Sequence, residues 1–579
     1  MFSTFLGPHR AGKTLVRIAV LCCIGLSAAC NSNTSQPVVG KTAGSGVAKP
    51  ATSPPADPNA LELVFPYGSE KKLWVEAVTA DFQRAAPRTA GGKTIQVRTV
   101  PMGSGELITE IQEGRLRAHL ASPASAAFVE LGNAESRAKT GKPLLADTQN
   151  LVLSPVVIVM WKPMAEALGW GKKPLGWSDV LKMATSAEGW AAYKFPQWGK
   201  FKFGHTHPEY SNSGLISLIA EVYAGAGKLK GLTLDDVHKP EVADFLGKIE
   251  KSVVHYGSST GFFGRRMFED GPAYLSASVL YENMVIESYT GPQPPPLPVV
   301  AIYPKEGTFW SDHPVGIVQR DWVDAEHREA AEKYVKFLLG ADSQRRAMEF
   351  GFRPADPSIA LASPLDAAHG VDPQQPQTTL EVPSAAVMKA VIDLWKQKKK
   401  HSRVVLALDV SGSMKGVKLT AAKQGAMELI AMLGDEDVLS LVPFSGQPTW
   451  AAEGLSMAKG RQQARQVVEG LFADNGTALY EAIQTAHQRL SADPSPDRIS
   501  AIVVLSDGAD TANRLTLQDL LPQIRSGSET RDIRVFTIGY GQDAKEDVLG
   551  QISDATRAKY FKGTPENIRE VFKEISTFF

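Results

Sequence analysis

Cysteine is almost missing from this chain of 579 residues, which has 3, at Cys22, Cys23 and Cys30. Everything beyond residue 30 therefore lacks a thiol. That excludes disulfides, cysteine zinc clusters and a cysteine nucleophile from the part that folds. An excess of either charge is missing too: 62 lysines and arginines face 62 aspartates and glutamates. The densest basic run, Lys396-Gln397-Lys398-Lys399-Lys400, suits a solvated linker, so no nucleic-acid partner is expected. Long apolar runs are lacking as well, since the apolar stretch 18–26 is too short to span a bilayer. Stability must then come from packed cores, and this length supplies several domains.

What is present begins with a targeting segment. Arg10, Lys13 and Arg17 precede or open the apolar stretch, and Leu26-Ser27-Ala28-Ala29-Cys30 follows it. These last residues resemble the bacterial lipoprotein lipobox, with Ser27 where leucine is usual. The resemblance implies an exported protein, cleaved before Cys30 and anchored to a membrane by the lipidated Cys30, on the periplasmic face or at the cell surface. An ordinary cleaved signal or an uncleaved anchor is the alternative. Asn31 in the next position, by the same resemblance, permits transfer to an outer membrane. Residues 31–58 are Asn, Ser, Thr, Gly, Ala and Pro with almost no large apolar side chains, so they cannot bury enough surface to fold. The expected organisation thus starts with a signal peptide at 1–29 and a disordered tether at 30–58.

Residues 59–356 alternate strands and helices. Leu61-Glu62-Leu63-Val64-Phe65 predicts a strand, Tyr67-Gly68-Ser69-Glu70 a turn, and 73–85 a helix. Ile95-Gln96-Val97-Arg98-Thr99-Val100 and Met102-Gly103-Ser104-Gly105-Glu106 repeat the pattern before a helix at 107–113, and a third strand ends at Ser122-Pro123-Ala124-Ser125. Helix starts with free amides and small hydroxyl residues bind anions and polar ligands, although each taken alone is also an ordinary cap. Residues 153–161 are expected to leave one lobe as a hinge strand and 297–303 to return from a second, with Asp312-His313-Pro314 back in the first. Pro208-Glu209-Tyr210-Ser211-Asn212-Ser213-Gly214 stands between them. This order resembles the type II periplasmic solute-binding proteins. That resemblance implies a two-lobed α/β domain with a cleft for a small ligand or peptide, for which Ser69, Ser104, Ser122, Ser211 and Ser213 are the candidate residues. His205 and His207 read as polar surface on a loop, and Glu282 as either a cleft residue or an exposed helical acid. Residues 357–401 are expected to be a Pro-, Gln- and Ser-rich linker followed by a connecting helix at 385–398.

The sharpest pattern lies in residues 402–579. Val404-Val405-Leu406-Ala407-Leu408 predicts a buried strand, and Asp409-Val410-Ser411-Gly412-Ser413 follows at its carboxyl end. Two hydroxyls and one carboxylate are hard oxygen ligands suited to Mg²⁺ or Mn²⁺. Taken alone, such a run is also a common strand-to-helix turn. Asn475-Gly476-Thr477 adds a hydroxyl at a helix start, and Ile502-Val503-Val504-Leu505-Ser506-Asp507 adds a carboxylate after another strand. Together these resemble the metal-ion-dependent adhesion site of von Willebrand factor A domains, with Asn475 where glycine is common. The resemblance implies a Rossmann-like doubly wound sheet. It also implies Asp409, Ser411, Ser413, Thr477 and Asp507 around Mg²⁺, or Mn²⁺ or Ca²⁺, and a protein partner that presents a carboxylate. Asp409 is expected on a surface loop, facing Asp507 without a counter-charge when no metal is bound.

No His-Glu-x-x-His occurs, and no general base is evident beside Asp409 and Asp507, so an enzyme is not expected. The expected function is that of a membrane-anchored exported binding protein, with cation-dependent protein binding in one domain and small-ligand capture in the other. The alternative is the receptor of an ABC transporter with an accessory second domain.

Overall fold

A computed structural model describes residues 59–578, apart from Gln293, Asn475, Pro496, Asp497, residues 526–532 and Arg557. The expected signal segment, Cys30 and the expected tether lie outside the described residues, as does Asn475. Among the described residues, no helix is long and apolar enough to cross a membrane.

The first domain opens with the parallel pair Ala60–Gly68 and Thr94–Met102. Leu61, Leu63, Phe65 and Tyr67 alternate along the first strand and are all buried. The helix Lys72–Arg84 covers them with Trp74, Val75, Val78 and Phe82, the spacing of one helical face. Hydrogen bonds from Gly68 N to the Ser122 carbonyl and from Ser122 N to the Pro66 carbonyl attach Leu120–Ala121. Pro314–Val318 and Leu145–Asn150 then extend the first lobe in antiparallel sense.

Val152–Trp161 carries the chain across. Its start pairs with Arg353–Pro354 and Trp310–Ser311, and its continuation pairs with Ala277–Tyr281 and Val299–Ile302 in the second lobe. Phe203–Thr206 and Val253–Gly257 complete that sheet in parallel. Residues 297–303 therefore stay in the second lobe, and the return runs through Trp310–Ser311 and Pro314–Val318. An apolar strand looks the same in either place, and only its register decides.

The expected linker is laid down against this domain. Leu365, Val371 and Leu380 are buried, and Leu380 N donates to the Thr308 carbonyl. The connecting helix Ala385–Lys398 forms as expected, with the Ser384 hydroxyl accepting from Val387 N at its start. Its Val387, Met388, Val391, Leu394 and Trp395 join the first domain's core.

The second domain is a six-stranded sheet in the order Ala452–Ser456, Val438–Phe444, His401–Asp409, Arg498–Ser506, Ile533–Tyr540 and Tyr560–Gly563. All neighbours are parallel except the first pair. Helices cover both faces, so Val404, Leu406 and Leu408 enter one core and Val405 and Ala407 the other.

The domains touch at the end of the last helix, Ile568–Ser576. Tyr256 N donates to the Thr577 carbonyl at 2.9 Å, which extends the edge strand Val253–Gly257. Phe578 stacks on His255 with centroids 3.8 Å apart. Lys573 pairs with Glu106 of the first lobe at 2.9 Å and lies over the Tyr210 ring of the second.

Glu282 is neither exposed nor free in a cleft. It accepts from Arg353 Nε at 2.8 Å and Nη2 at 2.7 Å and from the Tyr303 hydroxyl, while Arg353 Nη1 donates to the Pro373 carbonyl. The pair clasps the second lobe to the crossing strands and to the strap after them. Replacing Arg353 by Met strands a buried carboxylate, so we expect a loss of about 3–5 kcal/mol in urea unfolding. Arg353→Met with Glu282→Gln should recover most of it, and a double variant as unstable as the single one would refute this account.

Candidate functional site

Topology decides where the second domain can bind. From the central strand His401–Asp409 the chain moves to one side, to Val438–Phe444, and later returns to the other side at Arg498–Ser506. The loops at the carboxyl ends of the two strands therefore diverge and leave a crevice, the switch point of an open parallel sheet. Asp409 ends one of these strands and Asp507 follows the other. A third loop joins them, because Asp474 N donates to the Val410 carbonyl at 2.7 Å.

Four of the five expected oxygen donors are linked. Ser411 N donates to Asp409 Oδ1 at 2.8 Å, the Ser411 and Ser413 hydroxyls are 3.0 Å apart, and the Ser413 hydroxyl donates to Asp507 Oδ1 at 2.7 Å. Thr477 sits on the third loop, buried, with its N–H donating to the Thr511 hydroxyl and its carbonyl accepting from Thr511 N, each at 2.8 Å. Adjacent ligands in an octahedron around Mg²⁺ stand about 3 Å apart, given a ligand distance of about 2.1 Å. The Ser411–Ser413–Asp507 spacings fit that geometry, and the donors are all hard oxygens.

Two expectations need correction. Asp409 is not on a surface loop; it is the last residue of the central strand and fully buried. Its Oδ2 accepts from the Ser506 hydroxyl at 2.6 Å. Nor do the two aspartates lack a counter-charge, because Lys418 Nζ stands 2.6 Å from Asp507 Oδ2. Sequence reasoning missed Lys418, which lies on the helix after the Ser-x-Ser loop and has no spacing signal of its own. Burial pushes the Asp409 carboxyl up, hydrogen bonds from Ser411 and Ser506 oppose this, and Asp507 adds to it.

In the first domain four of the five candidate serines are spent on other groups of the protein. The Ser69 hydroxyl donates to the Ser259 hydroxyl of the other lobe at 2.8 Å and accepts from Gly261 N at 3.0 Å. The Ser104 hydroxyl accepts from Ala124 N, and the Ser211 and Ser213 hydroxyls each stand 3.0 Å from the Thr260 hydroxyl. Gly105 N and Glu106 N, the free amides of a helix start, donate to the Tyr210 carbonyl across the lobes. The Ser125 hydroxyl donates to Asn212 Oδ1 at 2.5 Å, also across the lobes. The lobes are thus shut, and all five candidate serines are buried. Ser122 differs from the rest: its hydroxyl is buried without a partner, as are the Tyr67 hydroxyl and His313 Nε2. Below them Lys71 and His313 flank Glu70, with Lys71 Nζ 2.9 Å and His313 Nδ1 3.4 Å from Glu70 Oε1. Burial raises the Glu70 carboxyl, but Lys71 and His313 outweigh it and hold it at about 2.

Other expectations fall differently. His205 is no surface residue; it lies on the strand Phe203–Thr206 and is fully buried, and burial holds the half-buried His207 well below its usual value. No Gly-x-Ser-x-Gly was expected, yet Gly257-Ser258-Ser259-Thr260-Gly261 has the spacing of a nucleophile elbow between a strand and a helix. Ser259 has φ −150° and ψ 152°, however, an extended helix cap and not a strained elbow. Gly7-Pro8-His9-Arg10-Ala11-Gly12-Lys13-Thr14 has the letters of a phosphate loop, and it lies outside the described residues.

Comparison with known proteins agrees with the two domains. Residues 64–353 match the bacterial extracellular solute-binding protein family, and residues 404–574 match the von Willebrand factor type A domain. Inter-alpha-trypsin inhibitor heavy chain H2 of Mesocricetus auratus is 27% identical over 186 residues, 30% of this chain and 20% of that protein. An uncharacterized protein of Synechocystis is 30% identical over 176 residues, 30% of this chain and 41% of that protein. The chain therefore spans about a fifth to two fifths of the length of these curated relatives. Among solved structures, the sulfate-binding protein SubI from Mycobacterium tuberculosis H37Rv is similar at 17% identity, covering 51% of this chain and 88% of that one with a TM-score of 0.36. A von Willebrand factor type A protein from Catenulispora acidiphila is 24% identical, covering 31% and 43% with a TM-score of 0.28.

The buried Asp409 carboxylate generates a pH test. Its pKa is raised on folding, so its contribution to stability is present in acid and is lost as pH rises through the folded value. Asp409→Asn should therefore raise the unfolding temperature of chelator-treated protein at neutral pH. The gain should shrink as pH falls towards about 4. A gain that persists unchanged in acid would show that burial of this charge is not its source.

Proposed function

Because the chain belongs to the bacterial extracellular solute-binding proteins and ends in a von Willebrand factor type A domain, we propose an exported, membrane-anchored binding protein. The second domain binds a protein partner through a divalent cation, and the first captures a small polar ligand or peptide. Neither domain is assigned a catalytic step. The observation that carries this reading is the chain of oxygens from Asp409 through Ser411 and Ser413 to Asp507 at the switch point of the sheet.

When bound there, a cation such as Mg²⁺ supplies an electrophilic position for a partner's carboxylate. The protein's part is to hold it without quenching it. Asp409, Ser411, Ser413, Thr477 and Asp507 would bring two carboxylates and three neutral hydroxyls, a set that would leave the ion more electrophilic than one made of carboxylates alone. Ser506 and the Ser411 amide fix the Asp409 carboxylate before the ion arrives. Lys418 holds the other oxygen of Asp507, Oδ2, and its ammonium would repel a cation gathered by Oδ1.

A second reading, the receptor of an ABC transporter, draws on the cross-lobe hydrogen bonds of Ser69, Ser125 and Gly105. Groups that satisfy each other when the lobes shut become free to hold a solute when they part.

Calorimetric titration of the full chain with Mg²⁺ and with Mn²⁺, acetate standing in for the partner carboxylate, tests the cation site. Wild type should bind and Asp409→Ala should not, and identical titrations would overturn the reading. Lys418→Met should tighten the cation by roughly tenfold, or about 1.4 kcal/mol. For the first domain, a thermal-shift screen of small anions, sugars, amino acids and peptides should find a stabiliser. Its effect should fall in Ser122→Ala, whose hydroxyl is unspent, and a shift that survives intact removes Ser122 from the ligand site.

A further inference from the structure

We propose that His205, Glu221 and Glu250 form a structural site for a divalent transition-metal ion, Zn²⁺ foremost, inside the second lobe. Each offers one ligand atom, these atoms lie within 4.8 Å of one another, and all three residues are fully buried. None belongs to the five oxygen donors of the second domain or to the serines of the cleft.

In each residue one polar atom is held by a neighbour and the other is left for the centre. His205 Nδ1 lies 2.8 Å from the Thr206 carbonyl. A carbonyl only accepts, so Nδ1 carries a proton, and in the neutral ring Nε2 presents its lone pair towards Glu250. Glu250 Oε2 accepts from the Tyr256 hydroxyl at 2.7 Å and from Trp395 Nε1 at 2.9 Å, which leaves Oε1 turned to His205 Nε2 at 2.9 Å. Glu221 Oε1 accepts from the Ser217 hydroxyl at 2.9 Å, and its Oε2 is buried with no partner at all. A lone pair and two carboxylate oxygens turned towards one another repel unless something positive lies among them. Metal-bound histidines and carboxylates show this same pattern of outer atoms fixed by hydrogen bonds.

Charge and spacing point the same way. A neutral imidazole and two carboxylates carry two negative charges, which one divalent ion balances. Ligands about 2.1 Å from a metal stand about 3.0–3.4 Å apart at right or tetrahedral angles; His205 Nε2 and Glu250 Oε1 are 2.9 Å apart, and the Glu221 ligand atom, within 4.8 Å of both, would draw in around an ion. One imidazole with two carboxylates suits Zn²⁺, which outranks Mn²⁺ and Fe²⁺ at such donors. Complete burial assigns the ion to structure. The three ligands come from the strand Phe203–Thr206 and the helices Asn212–Ala226 and Pro240–Glu250, and Trp395 brings in the connecting helix. The ion would thus tie four segments of the first domain together.

The test uses the full chain, produced in zinc-supplemented medium and dialysed against metal-free buffer, with metal read by inductively coupled plasma mass spectrometry. Wild type and Asp409→Ala should both retain about one zinc per chain. Glu221→Gln, nearly isosteric, should lose it and melt at a lower temperature. Trp395→Phe keeps all three ligands and covers the case in which Glu221→Gln does not fold. It should weaken zinc in competition with a chelator by about 10–100-fold. Wild type without zinc, together with a Glu221→Gln variant that melts higher, would mean that protons hold the cluster and would overturn the proposal. Equal zinc in wild type and Glu221→Gln would overturn it as well.

Discussion

The two lobes of the solute-binding domain meet backbone to backbone, and much else follows from that approach. A side chain at Gly105 would run into the Glu209 carbonyl, one at Gly103 into the Tyr210 carbonyl, and one at Gly261 into the Ser69 carbonyl. The obstacles are backbone atoms, which cannot swing aside as a side chain does. The free amides of Gly105 and Glu106 therefore reach an acceptor in the opposite lobe. Left buried and unpaired, each would cost about 1–3 kcal/mol. Closing the lobes satisfies these amides and spends the hydroxyl of Ser69 at the same time.

Buried carboxylates are treated in a consistent way elsewhere. Glu282 has Arg353, Asp507 has Lys418, and Glu70 has Lys71 with His313. Each of these acids has a basic partner from the chain itself, as a buried charge requires. Asp409 relies on hydroxyl and amide donors instead, and this leaves its carboxyl shifted upwards.

What the sequence made legible was local. The connecting helix Ala385–Lys398 falls at its expected bounds, since apolar period and capping residue are written within the segment. The oxygen set around Asp409 was readable because its members sit at strand ends, where a parallel sheet must gather them. What was not legible depends on register or on distant partners. Ala452–Ser456 is a mostly exposed edge strand with little apolar pattern. The placing of residues 297–303 needed the pairing partner. His205 looked like a loop residue because its neighbours Gly204 and His207 are polar or small, yet its strand lies between two others. Lys418 acquires its role only because helix and sheet bring it to Asp507.

The last helix of the second domain has one lysine that touches both lobes of the first, Lys573 between Glu106 and Tyr210. A strut fixed to both jaws of a hinge resists any change in their angle. The ion pair is partly exposed and by itself is worth at most about 1 kcal/mol. It is joined, however, by the Thr577 bond to the edge strand and by Phe578 on His255, so parting the lobes pulls on a whole docked end and not on one contact. Thermodynamic reciprocity then applies: whatever solute binding does to the docking of that end, the docking does in equal measure to solute affinity.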